Sequence, residues 1–205
     1  ILPGAGYTLL LGQFALALSA FLALFWFPLL SRHLIKRKLF LQVNKIGLTA
    51  LRCLPELLIA FIALIILGPS LIPGIIAIGI HNGAVLAHLI SHHSNDQNLR
   101  SDRSSSANQF FYELLPRIYG QFLAFTLYRG ETILRETAVL GILGIPTLGF
   151  FIDSAFEELR LDRAVVLILA SAILNIVAEA MATYCRKYIH NFKPDRISQS
   201  ISNRE

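Results

Sequence analysis

Charge is what this 205-residue sequence has least of. Only 15% of its residues are Asp, Glu, Lys or Arg, where a soluble domain carries about 25%, so the chain lacks the polar surface to cover itself in water. Cysteine is scarce as well. Cys53 and Cys185 lie in or beside apolar runs, read as small buried hydrophobes, and exclude a disulfide scaffold. Thirteen glycines and eight prolines without a period exclude a collagen-like chain. No Gly-x-x-x-x-Gly-Lys-[Ser/Thr] loop is present, so the chain is expected neither to bind nor to hydrolyse nucleotide by itself. No His-Glu-x-x-His occurs and no internal repeat is visible.

What fills the composition instead is apolar: 55% hydrophobic residues and a mean hydropathy of +0.60. An integral, multi-pass membrane protein follows. The net charge of +5 is then read as basic loops held on the cytoplasmic side, with the lipid bilayer and not nucleic acid as the partner. A crossing takes about 20 residues, and five stretches supply one: about 7–30, 50–68, 71–90, 114–150 and 164–185. The first has no Ala-x-Ala-type cleavage site and reads as a span, not a signal peptide. The second is short and depends on Ile46–Cys53 for extension; the fourth is interrupted by Gly144, Pro146 and Gly149.

Loop charge sets the expected orientation. Arg32, Lys36, Arg37, Lys38, Lys45 and Arg52 follow the first span without an acid among them, and Arg186, Lys187, Lys193, Arg196 and Arg204 follow the last. The stretch Phe151–Arg163 is richer in acids, with Asp153, Glu157, Glu158 and Asp162. The N-terminus is therefore expected outside and the C-terminus, including a tail at 191–205, in the cytoplasm. Ser91–Asn108 is polar throughout and falls on the cytoplasmic side, either as a solvated loop or as a docking segment.

Three groupings carry chemistry. His88 and His92 stand four apart on a helix, but with no carboxylate at ligand spacing they are expected to cap a helix end, and no metal site is assigned. Glu157-Glu158 with Arg163 approximates the Glu-Glu-x-x-x-Arg pattern of intramembrane CAAX-type proteases, one residue too long and in an outside loop. The third is unusual: Arg129, Glu131, Arg135 and Glu136 lie within an apolar segment. A central charge costs roughly 2.5–3.5 kcal/mol even on the lenient insertion scale, so these groups face protein or water. Either they neutralise one another, Arg129 having Glu131 and Glu136 within reach and Glu131 pairing Arg135, or they line a polar path, for which Arg135 is the better candidate. His81 and Asn82, flanked by Gly79, Gly83 and Ala87, place further polarity in a tightly packed third span.

Several of these stretches, in order, resemble one family. Arg52-Cys-Leu-Pro-Glu-Leu57, His81-Asn-Gly-Ala-Val-Leu86, Leu115-Pro116, Phe125-Thr-Leu-Tyr-Arg-Gly-Glu131 with Arg135, and Ala138-Val-Leu-Gly141 are similar to the permeases of phosphonate-type ABC importers, over about Thr8 to Arg186. The resemblance implies an all-α membrane protein with the five-span core of type I ABC importers. It implies a bacterial inner-membrane, non-enzymatic transport subunit for phosphonate, phosphite or a related phosphorus oxyanion, or for another small solute of the same class. Its implied partners are a second permease subunit (homo- or heterodimer), a cytoplasmic ABC ATPase dimer that holds the ATP and Mg, and an extracytoplasmic solute-binding protein. No cofactor is expected in this chain.

By the same resemblance, His81, Asn82, Arg129, Glu131, Arg135 and Glu136 form the translocation path or an intramembrane network. The coupling segment to the ATPase falls at about 91–113, through Ser94, Asp96, Gln97, Asn98, Leu99 and Arg103. The family's Glu-Ala-x pattern is degraded in that segment, and its Gly-Ala-Gly-Gly-type stretch is replaced by Gly144-Ile-Pro-Thr-Leu-Gly149. With Ile1 in place of Met, the degraded segment suits one half of a fused or heteromeric permease pair. A non-transporting membrane scaffold and an intramembrane hydrolase are the rival classes.

Overall fold

A computed structural model describes residues 2–32, 35, 37–95 and 109–191. Among them the chain is helical, with no strand. Its α-helices are α1 (Leu2–Leu30), α2 (Lys38–Cys53), α3 (Glu56–Leu67), α4 (Leu71–Asn95), α5 (Leu115–Leu140), α6 (Leu148–Glu157) and α7 (Leu161–Asn191). A π-helical turn at Gln109–Leu114 leads into α5, and a 3-10 turn at Gly141–Leu143 closes it.

Helix α1 is apolar on every side, as a helix surrounded by protein and lipid must be. It packs most extensively on α4 and also touches α5. Small residues four apart make that approach close: Ala15, Ser19 and Ala23 on α1, Gly79, Gly83 and Ala87 on α4, all but Gly79 and Gly83 with accessibilities of 0% and those two buried. A Cβ on Gly83 would stand 3.2 Å from the Ser19 carbonyl oxygen, and one on Gly79 would strike Leu18. The tight third span read from the sequence is present, and α1 is what it packs against.

Two apolar clusters fill the bundle along α1, α4 and α5, and a third, of Leu148, Ala155, Ala164 and Leu167, joins α6 to α7. One holds Ala23, Phe27, Leu30, Leu86, Ile90, Leu114 and Phe122. The other holds Leu11, Ala15, Ala60, Ile78, Ile133, Leu140 and Ile145. Along α1, α4 and α5 the first cluster ends where the second begins, between Ala15 and Ala23, Ile78 and Leu86, and Phe122 and Ile133. That seam positions the candidate site.

Four helical stretches are long and apolar enough to cross a membrane: Pro3–Leu30, Leu71–Asn95, Leu115–Glu157 and Leu161–Lys187. The expected span at 50–68 takes a different form. Leu54 and Pro55 are extended, Pro55 lacks the N–H that would continue the helix, and α2 meets α3 at 87°. Alone, twelve-residue α3 is about 18 Å long, short of a hydrocarbon core of about 30 Å.

The interruption at Gly144 and Pro146 is where the sequence puts it. Gly144 has φ +82°, and a Cβ on Gly149 would collide with the Ala138 carbonyl. The backbones of α5's end and α6's start therefore touch, which only glycine permits. Thr8 fastens this corner to α1: its hydroxyl donates to the Gly4 carbonyl (2.9 Å) and accepts from the Leu148 N–H (2.9 Å).

Three local expectations are corrected. Ser91–Asn95 are the last turns of α4 and not loop, with Ser91 and Ser94 buried. The acidic stretch Phe151–Arg163 is mostly helix, its turn confined to Glu158–Arg160. Cys53 and Cys185 are exposed: α2 buries none of its residues, and α7 packs along one side only. The tail from 192 onward lies outside the described residues.

Candidate functional site: a polar cluster at the seam of the bundle

Asn82 has an accessibility of 0% and sits near the midpoint of α4. Its amide carbonyl accepts from Arg129 Nε at 2.7 Å and from Nη2 of the same guanidinium. Its amide nitrogen donates to Glu136 Oε2 at 2.7 Å. Arg129 Nη2 lies 3.6 Å from Glu136 Oε1, which closes a three-membered network across α4 and α5. An amide suits the central place because it offers an acceptor to the cation and a donor to the carboxylate at once. Both ionic side chains are nearly buried, at 14% and 13% accessibility.

Beside this network, His81 Nε2 stands 3.6 Å from Glu56 Oε2 of α3. His81 Nδ1 is buried with no hydrogen-bond partner. Glu56 thus brings a third helix to the site, and reading the sequence for chemistry passed over it. The signal was available: Glu56 is the lone acid in the otherwise apolar run Leu54–Leu67. Buried Ser19 of α1, bonded to the Leu16 carbonyl at 2.8 Å, was missed too.

The other two charges of the segment stand elsewhere. Glu131 pairs with Arg135 one turn along α5, as its spacing predicts, and with Arg186 of α7 at 3.8 Å. The Arg186 guanidinium lies 5.8 Å from the centre of the Tyr128 ring. Glu131 also lines a groove of about 410 Å³ between α1, α5 and α7, with Gly12, Leu134, Val177 and Met181 among its walls. The expected pairing of Arg129 with Glu131 is therefore corrected. Positions two apart face opposite sides of a helix, whereas seven apart returns to the same face, so Arg129 meets Glu136 and Glu131 meets Arg135.

Of the remaining candidates, Ser94 is fully buried on the last turn of α4, with its hydroxyl unpartnered. Asp96, Gln97, Asn98, Leu99 and Arg103 lie outside the described residues. The His88 and His92 rings meet edge to face with centroids 5.0 Å apart. Glu158 pairs with Arg160 at 3.3 Å on the exposed turn before α7, away from the seam.

Set against solved structures, about nine-tenths of the chain finds a counterpart. A chain from the crystal structure of an amino acid ABC transporter with histidines superposes with a TM-score of 0.75, covering 91% of this chain and 92% of that one at 16% identity. A chain of the MetNI methionine ABC transporter in inward-facing conformations gives 0.71 over 90% and 91% at 12% identity. The fold is shared with these ABC transporter chains. No family model matches the chain.

Curated relatives of this chain are named for phosphite or phosphate transport. The phosphite transport system permease protein PtxC of Stutzerimonas stutzeri is 24% identical over 77% of the chain. The phosphate-import permease protein PhnE of Mycolicibacterium smegmatis is 28% identical over 72%, and a second Stutzerimonas stutzeri protein, HtxE, is 21% identical over 68%. The matched stretches span 60%, 29% and 56% of those proteins' lengths. The resemblance to phosphonate-type permeases is borne out by these relatives.

Proposed function

We propose that the chain is the transmembrane permease subunit of an ATP-driven importer for phosphite, phosphonate or a related small phosphorus oxyanion. The observation that carries this reading is the agreement of three relatives named for phosphite or phosphate transport, on a permease fold. In this reading the subunit does no covalent chemistry and binds no cofactor. It works beside a second permease subunit in the bacterial inner membrane, and ATP and Mg are held by a cytoplasmic ATPase dimer docked at about 91–113. An extracytoplasmic solute-binding protein delivers the cargo. Transport proceeds by alternating access, each partner favouring one of two states through its differential affinity.

His81, Asn82, Arg129 and Glu136, joined by Glu56, would wall the path where α3, α4 and α5 meet. Glu131 and Arg135 would extend its polarity on the other side of α5. Arg129 is already engaged by Asn82 and Glu136, so oxyanion selectivity falls chiefly to the solute-binding protein. Co-purification with an ABC ATPase, followed by ATP-dependent uptake of radiolabelled phosphite into proteoliposomes with an amino acid as control, tests the proposal. Uptake of the amino acid alone would assign another small solute of the same class. Absence of any bound ATPase would favour a scaffold.

A further inference from the structure

Helix α2 is amphipathic and has no fully buried residue; it meets the bundle through partly buried Leu48, which leaves its other apolar side uncovered. On a helical projection Leu39, Val43, Ile46, Ala50 and Cys53 form one stripe, and Lys38, Gln42, Lys45, Thr49 and Arg52 form another on a different side. Leu39, Val43 and Ile46 are 78%, 60% and 64% exposed. The basic stripe, with Arg32, Ile35 and Leu41, borders an open groove of about 550 Å³ lined by Arg32, Lys38 and Lys45. Not one Asp or Glu occurs from Ser31 to Pro55. The backbone N–H of Arg32 donates to Asn95 Oδ1 at 3.0 Å, so the groove lies at the end of the bundle where α1 and α4 both finish. On the charge rule that end is cytoplasmic.

We propose that α2 lies in the surface of the cytoplasmic leaflet, its Leu39–Val43–Ile46 stripe in the acyl region and its basic groove holding the phosphate headgroups of anionic phospholipids. The 87° turn into α3 supplies the geometry: a helix at right angles to a neighbour that enters the membrane runs along the surface. Sidedness of charge supplies the occupant. A helix with a large apolar stripe and cations alone on its polar side is an interfacial binder, and the cytoplasmic leaflet carries the negative headgroups that attract it. A second protein would have to cover an apolar stripe and a groove whose charges are all cations together, while a lipid surface matches both. The proposal stands apart from the cargo assigned above.

The test uses the full chain with Cys53 and Cys185 replaced by Ser, reconstituted in vesicles of equimolar phosphatidylglycerol and phosphatidylcholine. Spin labels go on V43C in one sample and T49C in another. The expected result is that the label at 43 collides with lipid-dissolved oxygen and not with an aqueous nickel complex, and the label at 49 does the reverse. A label at 43 open to nickel, or shielded from both, overturns the interfacial placement; shielding from both would mean that protein covers the face. Native mass spectrometry then compares retained phosphatidylglycerol and phosphatidylcholine. Preference for the anionic lipid should fall about fivefold for each cation removed in R32Q/K38Q/K45Q. Unchanged preference, or displacement of the lipid by millimolar inorganic phosphate, overturns the headgroup assignment. Should the triple variant fail to assemble, K38Q alone at the exposed start of α2 carries the same comparison.

Discussion

Arg129 and Arg135 are the same residue on the same helix, six positions apart, and the bundle treats them differently. Arg129 is nearly buried, held by an amide from α4 and by a carboxylate two turns along its own helix. Arg135 is 59% exposed and paired with Glu131 one turn away. The first ties two helices together at the seam between the apolar clusters; the second shares Glu131 with Arg186 of α7, so Glu131 keeps a cation without it. A buried ionic group earns its place from partners on other elements, while a local pair of the second kind is worth little beyond solvation.

The largest effect should come from breaking the buried side. Glu136→Leu leaves Arg129 as an uncompensated buried cation, which typically costs about 3–5 kcal/mol. Size-exclusion chromatography of the solubilised chain should show loss of the folded peak. The double variant Arg129→Met/Glu136→Leu should recover most of it, since apolar replacement of a whole buried pair is often neutral. No recovery would mean that Asn82 needs both partners.

Packing at the same depth comes next. Gly83→Val pushes a branched side chain into Leu22 and the Ser19 backbone, and overpacking of this kind costs about 1–3 kcal/mol. A lowered thermal midpoint is the readout, and Gly120→Val, where a Cβ meets nothing within 4 Å, is the control. Thr8→Val removes a buried acceptor and leaves the Leu148 N–H unsatisfied, a loss of about 1–3 kcal/mol read the same way.

The smallest effect belongs to the exposed arginine. Arg135→Gln should change stability by no more than about 0.5 kcal/mol, the scale of a helical one-turn pair. It therefore leaves assembly intact, and phosphite uptake into proteoliposomes reports on the proposed path alone. Lowered uptake with normal assembly would bring Arg135 into the path; unchanged uptake would leave Arg129 and its partners as the polar wall. Failed assembly of Arg135→Gln would erase the contrast between the two arginines.

How far these features were legible depends on the range of the interaction behind them. Apolar run length set the long helices, because a crossing segment must satisfy its backbone internally and cover itself with apolar side chains. The break at Gly144 and Pro146 was legible because both residues act on their own backbone. The Glu131–Arg135 pair was legible because one helical turn fixes it. The Arg129–Glu136 pair was legible too, since two helical turns fix it, but it stood beside Glu131, which is nearer in number and opposite on the helix.

What the sequence by itself determined was therefore the membrane class, the long helices, the position of the chain break before α6, and which residues were too polar to meet lipid. Only the tertiary structure decided that Asn82 joins Arg129 to Glu136, that Glu56 stands beside His81, and that α2 turns 87° away from α3. Pro55 marks the place of that turn, whereas the side-chain contacts of Asn82 and Glu56 join residues 25 to 54 positions apart. Nothing in local propensity, spacing or hydropathy encodes them, because they arise when small residues let α1 and α4 approach and so fix which faces of α3 and α5 meet at the seam.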